Sequence, residues 1–194
     1  MRRLRRAVAF EPVLVEDETI VRLFPPLRQA WGMRGSQVCV PITGQNDRRV
    51  LYGAINVATG HRVTRRGRSM KLFEFHAFLR ELRRRYRTGR RIWLLLDKHG
   101  THDSAKTAQL AGSLGIVLVP LPKQCPELNA MDQLFKDLKR LIAANRQYRT
   151  IDEEADYAEH WILSLTAQQA LRKASVLSDD FWLEDFLENF WLST

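Results

Sequence analysis

Three aspartates stand at positions from which a folded chain commonly presents a carboxylate to solvent. Asp17 follows the apolar residues 13–15, and Asp97 ends the uninterrupted apolar run 92–96. Short apolar runs between turn signals predict buried strands, and the carboxyl ends of such strands are a usual location for chemistry in open α/β sheets. Asp132 lies in the first turn of a predicted helix, where the helix dipole favours a negative charge.

Each of these carboxylates also has a purely structural explanation. Asp97 fits a turn or a helix cap, Asp17 belongs to an acidic triplet that fits an exposed turn, and Asp132 fits an ordinary first-turn acid. Metal binding becomes the better explanation if the three converge, because carboxylates are hard oxygen ligands suited to Mg²⁺ or Mn²⁺. Two such ions clamp the attacking and leaving oxygens of a phosphodiester displacement. Glu18 and Glu127 are the nearest alternative acids.

The elements that would position these aspartates follow an α/β order. Five strands are predicted, at residues 13–15, 38–43, 50–57, 92–96 and 116–119. Helices are predicted at residues 71–87, 103–114 and 130–145, where apolar residues recur at helical spacing. The first three strands have the spacing of an antiparallel meander, whereas the later strand–helix alternation predicts parallel pairing through right-handed crossovers. If the first and fourth strands are neighbours, Asp17 and Asp97 meet and Asp132 approaches from its helix.

Charge is distributed unevenly along the 194 residues, whose net charge is +9. Residues 1–100 contain 22 Lys and Arg against 8 acids, and residues 101–194 contain 9 against 14. An arginine-rich basic half favours a polyanionic partner, because the guanidinium group binds phosphate bidentately. Residues 61–71 are predicted to form a basic loop, either solvated or in contact with phosphate. From residue 151 the chain turns acidic, and helices are predicted at 152–165, 167–174 and 179–192.

Secreted and membrane proteins are disfavoured by the remaining features. Cys39 and Cys125 lack metal-ligand spacing and are typical of a reduced cytosolic protein. The charged amino terminus does not fit a signal peptide, and no apolar stretch reaches the length of a membrane span.

Taken together, the motifs resemble the catalytic domain of DDE/D transposases of the mariner superfamily, in particular the bacterial insertion-sequence branch. The resemblance runs from about residue 13 to residue 145. It rests on Asp17-Glu18, Trp31, Gly35, Gly44, Gly53, Thr59-Gly60, Phe75, Phe78, Leu79, Asp97, His102, Leu121-Pro122, Pro126-Glu127-Leu128-Asn129 and Asp132. Between Asp97 and Asp132 lie 34 residues, a spacing typical of this superfamily.

This resemblance implies a ribonuclease H-like fold, with a mixed five-stranded sheet flanked by helices. Residues 1–150 would form the catalytic domain and residues 151–194 an acidic helical C-terminal extension. Asp17, Asp97 and Asp132 would be the catalytic residues and would bind Mg²⁺ or Mn²⁺, as two ions. The partners would be DNA, at element ends and target, and a second copy of the chain, in the bacterial cytoplasm at the nucleoid. Candidate DNA-contacting residues are Arg62, Arg65, Arg66, Arg68, Lys98, His102 and Lys136.

The chain also departs from the family pattern. Lys98 stands where Asn usually follows the second acid, Ala130 replaces a Pro, and the last acid is Asp132 rather than Glu. The helix-turn-helix region that precedes the catalytic domain in the family is not expected here, since the first catalytic strand is predicted at residue 13. These departures keep open an inactive or repurposed remnant that binds DNA or dimerises. A general ribonuclease H-like nuclease is a third reading.

Overall fold

A mixed five-stranded sheet forms the centre of the protein, as predicted. The computed structural model describes residues 11–183, apart from 26–28, 30, 32, 36–38, 43, 88–90, 123–124, 143–144 and 180. The strands are β1 (Val13–Arg22), β2 (Arg48–Asn56), β3 (Arg62–Gly67), β4 (Ile92–Leu96) and β5 (Ile116–Pro120), in the spatial order β3-β2-β1-β4-β5. The pairings β1–β2 and β2–β3 are antiparallel, and β1–β4 and β4–β5 are parallel.

The first three strands differ from the sequence prediction in their positions. Strand β1 continues through the acidic triplet to Arg22, so Asp17 lies within the strand and pairs with Gly53 instead of ending the strand. The strand predicted at 38–43 is wrong for residues 39–42, which have no strand structure, while 38 and 43 lie outside the described residues. The meander is completed by β3, within the predicted basic loop.

Strand β3 was not predicted as a strand because of its arginines. A strand with three arginines reads as a solvated loop when only local hydrophobicity is considered. In the fold, the side chains of β3 alternate between a buried core and the acidic C-terminal helical region, where Arg66 pairs with Asp156 and Glu159 and Arg62 donates to backbone carbonyls. The favourable partners are distant in sequence, so the local pattern cannot reveal them.

Helices cover both faces of the sheet. They are α1 (Leu72–Arg85), α2 (Ala105–Ser113), α3 (Ala130–Ile142), α4 (Ile151–Ser164) and α5 (Ala167–Lys173). The helices predicted up to residue 174 are therefore present with small shifts in their ends. The helix predicted at 179–192 lies largely outside the described residues. Within the described part of the chain, no helix combines the length and apolar character that a bilayer crossing requires.

Two hydrophobic clusters, one on each face, determine which way the acids of β1 point. Leu14 packs with Phe75 and Phe78 of α1, whereas Val15 packs with Met131 of α3. Since side chains alternate along a strand, Glu16 and Glu18 share the face of Leu14, and Asp17 shares the face of Val15.

The C-terminal helices share the core of the α3 face. Ala158 and Ile162 of α4 and Ala170 of α5 belong to the same buried cluster as Leu134 and Phe135 of α3. The division at residue 150 remains a prediction, but α4 packs directly with the sheet, and both α4 and α5 pack with α3.

Candidate active site

A glycine opposite Asp17 allows α3 to approach the sheet closely. Gly53 pairs with Asp17 across β1 and β2. A Cβ atom at position 53 would lie only 2.8 Å from Cζ of Phe135 and closer still to Cε of Met131. Any larger residue at position 53 would therefore displace the side chains of Met131 and Phe135 that lie between α3 and the sheet. The missing side chain allows the first turn of α3 to reach the same face of the sheet as Asp17.

Asn129 fixes the first turn of α3 to β1. Its buried side-chain oxygen accepts hydrogen bonds from the backbone N–H groups of Met131 (3.0 Å) and Asp132 (3.3 Å). Its amide nitrogen donates to the backbone carbonyl of Glu16 at 2.9 Å. One side chain therefore caps the helix and holds Asp132 beside the strand of Asp17. The sequence contained the signal, a cap-forming residue just before the helix, but its contact with β1 was missed.

Asp97 lies immediately after β4, and its side chain is 59% exposed. Its Oδ1 lies 3.0 Å from Nδ1 of His102, and this hydrogen bond lowers the pKa of the Asp97 carboxyl group. Asp97 therefore has an ionised carboxylate, held at one side and open to solvent at the other.

The three aspartates line one cleft of about 550 Å³, which we call the aspartate cleft. Its other lining residues are Lys98, Leu121, Pro122, Cys125, Pro126 and Asn129. The structure therefore brings together the three predicted metal-binding residues, including Asp97 and Asp132, which lie far apart in sequence. Their carboxylates are spread around the cleft and do not form a cluster within 4.8 Å among the described residues. A spread arrangement suits Mg²⁺, which is usually held by one or two carboxylates together with substrate phosphates.

Electrostatics in the aspartate cleft favour a cation. Burial raises the pKa of Asp17 to about 8, and the charges of Asp132, Glu18 and Asp97 contribute in the same direction. Ionising Asp17 is therefore costly unless positive charge is brought in. An all-oxygen donor set of this kind fits Mg²⁺ or Mn²⁺, as predicted from the residue types.

A second group of ionisable side chains lies on the opposite face of β1. His102 Nε2 is 3.0 Å from Oε1 of Glu18, and the potential ligand atoms of Glu16, Glu18 and His102 all lie within 4.8 Å of one another. Burial of the ring lowers the pKa of His102, but hydrogen bonds to Asp97 and Glu18 outweigh burial and raise it to about 11. Both ring nitrogens then donate hydrogen bonds.

Glu16 is the most deeply buried acid of this group. Its side chain has no exposed surface, and neither carboxylate oxygen has a hydrogen-bond partner within the described residues. Burial, followed by the charge of Glu18, raises the pKa of Glu16 well above its usual value. The sequence did not predict this group, because the alternation that assigns Glu16 and Glu18 to one face appears only once β1 is known to continue past residue 15.

The candidate DNA-contacting residues near the cleft occupy three different environments. Lys98 lines the aspartate cleft, and Lys136 Nζ lies 2.9 Å from Oδ2 of Asp132. The side chain of His102 is only 1% exposed, so contact with DNA would require its ring to leave this position.

The arginines of β3 and the following residue lie away from the aspartate cleft. Arg62 donates to the backbone carbonyls of Ile162 (3.2 Å), Leu163 (3.1 Å) and Leu165 at the end of α4. These contacts satisfy helix-terminal carbonyls that lack a partner within the helix. Arg62 is therefore already engaged by the C-terminal helices, and its contact with DNA stays a prediction.

The remaining arginines surround a smaller cleft of about 340 Å³. Arg66 pairs with Asp156 and with Glu159 (3.2 Å) of α4, and Arg65 lies 3.6 Å from Glu74. Arg68 is exposed and lines the same cleft. DNA contact by these three side chains also stays a prediction.

Comparison with known proteins identifies relatives of the chain. Residues 12–153 match the family described as DDE superfamily endonuclease. Over 140 residues, 72% of the chain, the sequence is 31% identical to the insertion element IS630 uncharacterized 39 kDa protein of Shigella sonnei. The chain covers 41% of the length of that relative.

Solved structures agree on the fold. The Mos1 transposase paired-end complex with left transposon end matches with a TM-score of 0.69 and 14% identity, covering 97% of this chain and 58% of that one. The catalytic domain of Mos1 mariner transposase matches with a TM-score of 0.64 and 14% identity, covering 99% and 86%. The predicted resemblance and the predicted ribonuclease H-like fold are both confirmed.

Proposed function

The chain belongs to the DDE superfamily endonuclease family, and we propose that it is a transposase catalytic domain that cleaves DNA and transfers the cut strand. The observation that carries this proposal is the aspartate cleft, where Asp17, Asp97 and Asp132 line one open surface. Three carboxylates from β1, the end of β4 and the start of α3 form a hard oxygen donor set, which suits phosphodiester chemistry.

Asp17, Asp97 and Asp132 would hold Mg²⁺ or Mn²⁺, as two ions. Bound there, the metal supplies Lewis-acid stabilisation of the attacking and leaving oxygens. In the first step, water attacks a phosphodiester, a new P–O bond forms, and the bond to the 3′ oxygen breaks to leave a 3′-hydroxyl. In the second step, this hydroxyl attacks a phosphodiester of target DNA and displaces its 3′ oxygen.

Side chains around the cleft would orient the DNA. Lys98 lines the cleft and Lys136 pairs with Asp132, so their ammonium groups would contact phosphates beside the reacting one. Asn129 would keep Asp132 close to β1 through its hydrogen bonds to the Asp132 backbone N–H and the Glu16 carbonyl. Both lysines also reduce the negative charge of the cleft, so they influence cation binding as well as DNA binding.

Recognition of the ends of a mobile element is also a proposal. The chain spans 41% of the length of the insertion-element relative and 58% of the Mos1 transposase in the paired-end complex, and Mos1 transposase is seen there with a transposon end. We infer that the chain acts on DNA ends and target DNA as a pair of copies, because strand transfer needs both ends held together. Action on chromosomal DNA would place it at the nucleoid in the bacterial cytoplasm.

A metal-dependent nicking assay tests the proposal. Supercoiled plasmid and oligonucleotides with a free 3′-hydroxyl are incubated with the protein and Mg²⁺ or Mn²⁺. We expect nicking and strand joining that disappear with a chelator and in Asp97→Asn. Activity that persists unchanged in Asp97→Asn would refute the assignment, and preferential cleavage of RNA in an RNA–DNA hybrid would indicate a general nuclease.

One observation favours a second candidate, a DNA-binding or dimerising remnant. The ammonium group of Lys136 already pairs with Asp132, and Lys98 lines the same cleft, so two cationic side chains compete with a metal for the carboxylates. Tight DNA binding that needs no metal, together with no cleavage by the wild-type chain, would support this reading.

A further inference from the structure

A buried histidine connects Asp97 to the neighbouring strand. His102 Nδ1 lies 3.0 Å from Oδ1 of Asp97, and Nε2 on the other side of the ring lies 3.0 Å from Oε1 of Glu18. Glu18 belongs to β1, where it directly follows Asp17 and points to the opposite face of the sheet. We call this chain of contacts, Asp97–His102–Glu18, the His102 link.

Packing holds the ring of His102 in one place. Its side chain is almost wholly buried and lies against Phe75 of α1, with ring centroids 4.4 Å apart. Its backbone N–H donates to the carbonyl of His99 at 2.9 Å, which closes a turn between β4 and α2. The Glu18 side chain is only 5% exposed, so neither end of the contact with β1 is free to move into solvent.

Asp97, by contrast, has few restraints of its own. It follows the last residue of β4, and more than half of its side chain is exposed. Without a hydrogen bond, its carboxylate would sample several rotamers. Misplacement of a group near the reacting atoms is costly in a reaction that depends on alignment.

We propose that His102 and Glu18 are positioning residues for the proposed strand-transfer reaction. His102 orients the carboxylate of Asp97, and Glu18 orients His102 from the rigid strand β1. The inference rests on the proposed function, but its structural part also predicts an effect on metal affinity that needs no DNA. Partners of metal-ligating carboxylates commonly change affinity or activity by about 10–100-fold when removed.

The test is a set of matched variants. His102→Phe retains a ring against Phe75 and removes the ring's polar contacts with Glu18, with the Asp97 carboxylate and with the Asp97 backbone carbonyl (3.1 Å). Glu18→Leu removes only the contact with β1. Glu18→Gln retains an oxygen acceptor for His102. His76→Phe is the control, since it removes a comparable histidine contact, the one with Thr107 Oγ1 at 3.0 Å, away from the cleft.

Three quantities are measured for each variant: Mn²⁺ affinity by electron paramagnetic resonance, the DNA dissociation constant, and the rate of nicking at saturating DNA. For His102→Phe we expect an about 10–100-fold loss in rate or Mn²⁺ affinity, with DNA affinity unchanged. Glu18→Leu should be similar, Glu18→Gln and His76→Phe close to wild type, and the double variant Glu18→Leu/His102→Phe no worse than His102→Phe alone.

Several results would overturn the inference. One is a folded His102→Phe variant that keeps wild-type rate and Mn²⁺ affinity, and another is a double variant whose losses multiply. If His102→Phe does not fold, the rates and Mn²⁺ affinities of Glu18→Leu and Glu18→Gln are compared instead. Tight Zn²⁺ binding that is lost in Glu16→Gln would also overturn it, because the buried group would then hold a metal instead of positioning Asp97. If wild type binds Mn²⁺ but cleaves no DNA, the proposed function fails while the Mn²⁺ affinities still test the link.

Discussion

Neighbouring acidic residues on the two faces of strand β1 have opposite electrostatic surroundings. On the α3 face, Asp17 shares the aspartate cleft with two further carboxylates, and its burial, together with their charges, raises its pKa. On the α1 face, Glu18 is buried against the cationic ring of His102. The cleft on the α3 face therefore favours a cation from solution, whereas on the α1 face the protonated ring of His102 supplies the positive charge.

This difference shows how one acidic triplet can serve two purposes. A strand that reverses side-chain direction at each residue places Asp17 toward the aspartate cleft and Glu18 toward the interior. Since both acids sit on the same rigid strand, a contact made on the interior face fixes the geometry of the exposed face. The His102 link holds Asp97 in place relative to β1. Asn129 holds Asp132 in the same way, through its hydrogen bond to the carbonyl of Glu16.

The largest effect is expected from removing a carboxylate on the cleft face. Asp17→Asn, Asp97→Asn and Asp132→Asn should each reduce nicking by roughly 1000-fold, because metal ions contribute several kcal/mol of transition-state stabilisation. Rates are measured with Mg²⁺ and with Mn²⁺. Glu127→Gln, an exposed acid in the loop before α3, is the matched control and should retain activity. A comparable loss of activity in Glu127→Gln would contradict the assignment of the metal site to the three aspartates alone.

A pH experiment contrasts the two faces without DNA. The folded pKa of Asp17 is about 8, well above its ordinary value of 3.8, so the folded state retains a proton that the unfolded state has lost. In metal-free buffer, stability contributed by this proton should fall as pH rises from about 4 to 8. Thermal unfolding of wild type and Asp17→Asn should therefore diverge with rising pH, with the variant relatively more stable.

Adding Mg²⁺ should reduce this divergence, because the ion compensates the charge of ionised Asp17. Glu127→Gln provides the control, since it changes one exposed charge and should run parallel to wild type. Parallel curves for wild type and Asp17→Asn throughout the metal-free range would contradict the raised pKa.

Asn129→Ala separates the cap of α3 from the rest of the cleft. The change leaves two N–H groups of α3 and the Glu16 carbonyl without their side-chain partner, so we expect a loss of about 1–3 kcal/mol in the free energy of unfolding. Activity should also fall, because Asp132 is no longer held beside β1. Asn129→Asp retains the cap oxygens but not the donor to Glu16, and denaturant unfolding of the pair measures the two contributions.

The smallest effect is expected at the β3 edge, where the sheet face of Asp17 meets α4. Arg62→Ala should free the carbonyls at the end of α4 and destabilise α4 and α5 by about 1 kcal/mol. Amide hydrogen exchange should become faster in these helices and unchanged in β4. Arg68→Ala, at an exposed position nearby, is the control. Slower exchange, or none of these changes, would mean that Arg62 does not hold α4.

Local patterns predicted much of the framework. The apolar runs of β4 and β5 and the amphipathic repeat of α3 are properties of adjacent residues, so they can be read directly from the sequence. Asp97 and Asp132 were also identifiable, because one ends such a run and the other begins such a helix. The prediction failed where a strand contains many charges, in β1 beyond residue 15 and in β3.

The contacts that complete the site could not be predicted in this way. His102 and Glu18 are 84 positions apart, and Asn129 and Glu16 are 113 apart. Nothing in the local sequence of either partner specifies the other, because the strand order that joins them is set by pairing across the whole sheet.

The sequence alone therefore determined the types of residue available for chemistry, the main helices and the family to which the chain belongs. Only the tertiary structure decided which acid of the triplet faces the cleft, since that depends on how far β1 extends and on which cores cover its two faces. The physical reason is the alternation of side chains along a strand, which turns a difference of one residue into a difference between solvent and interior.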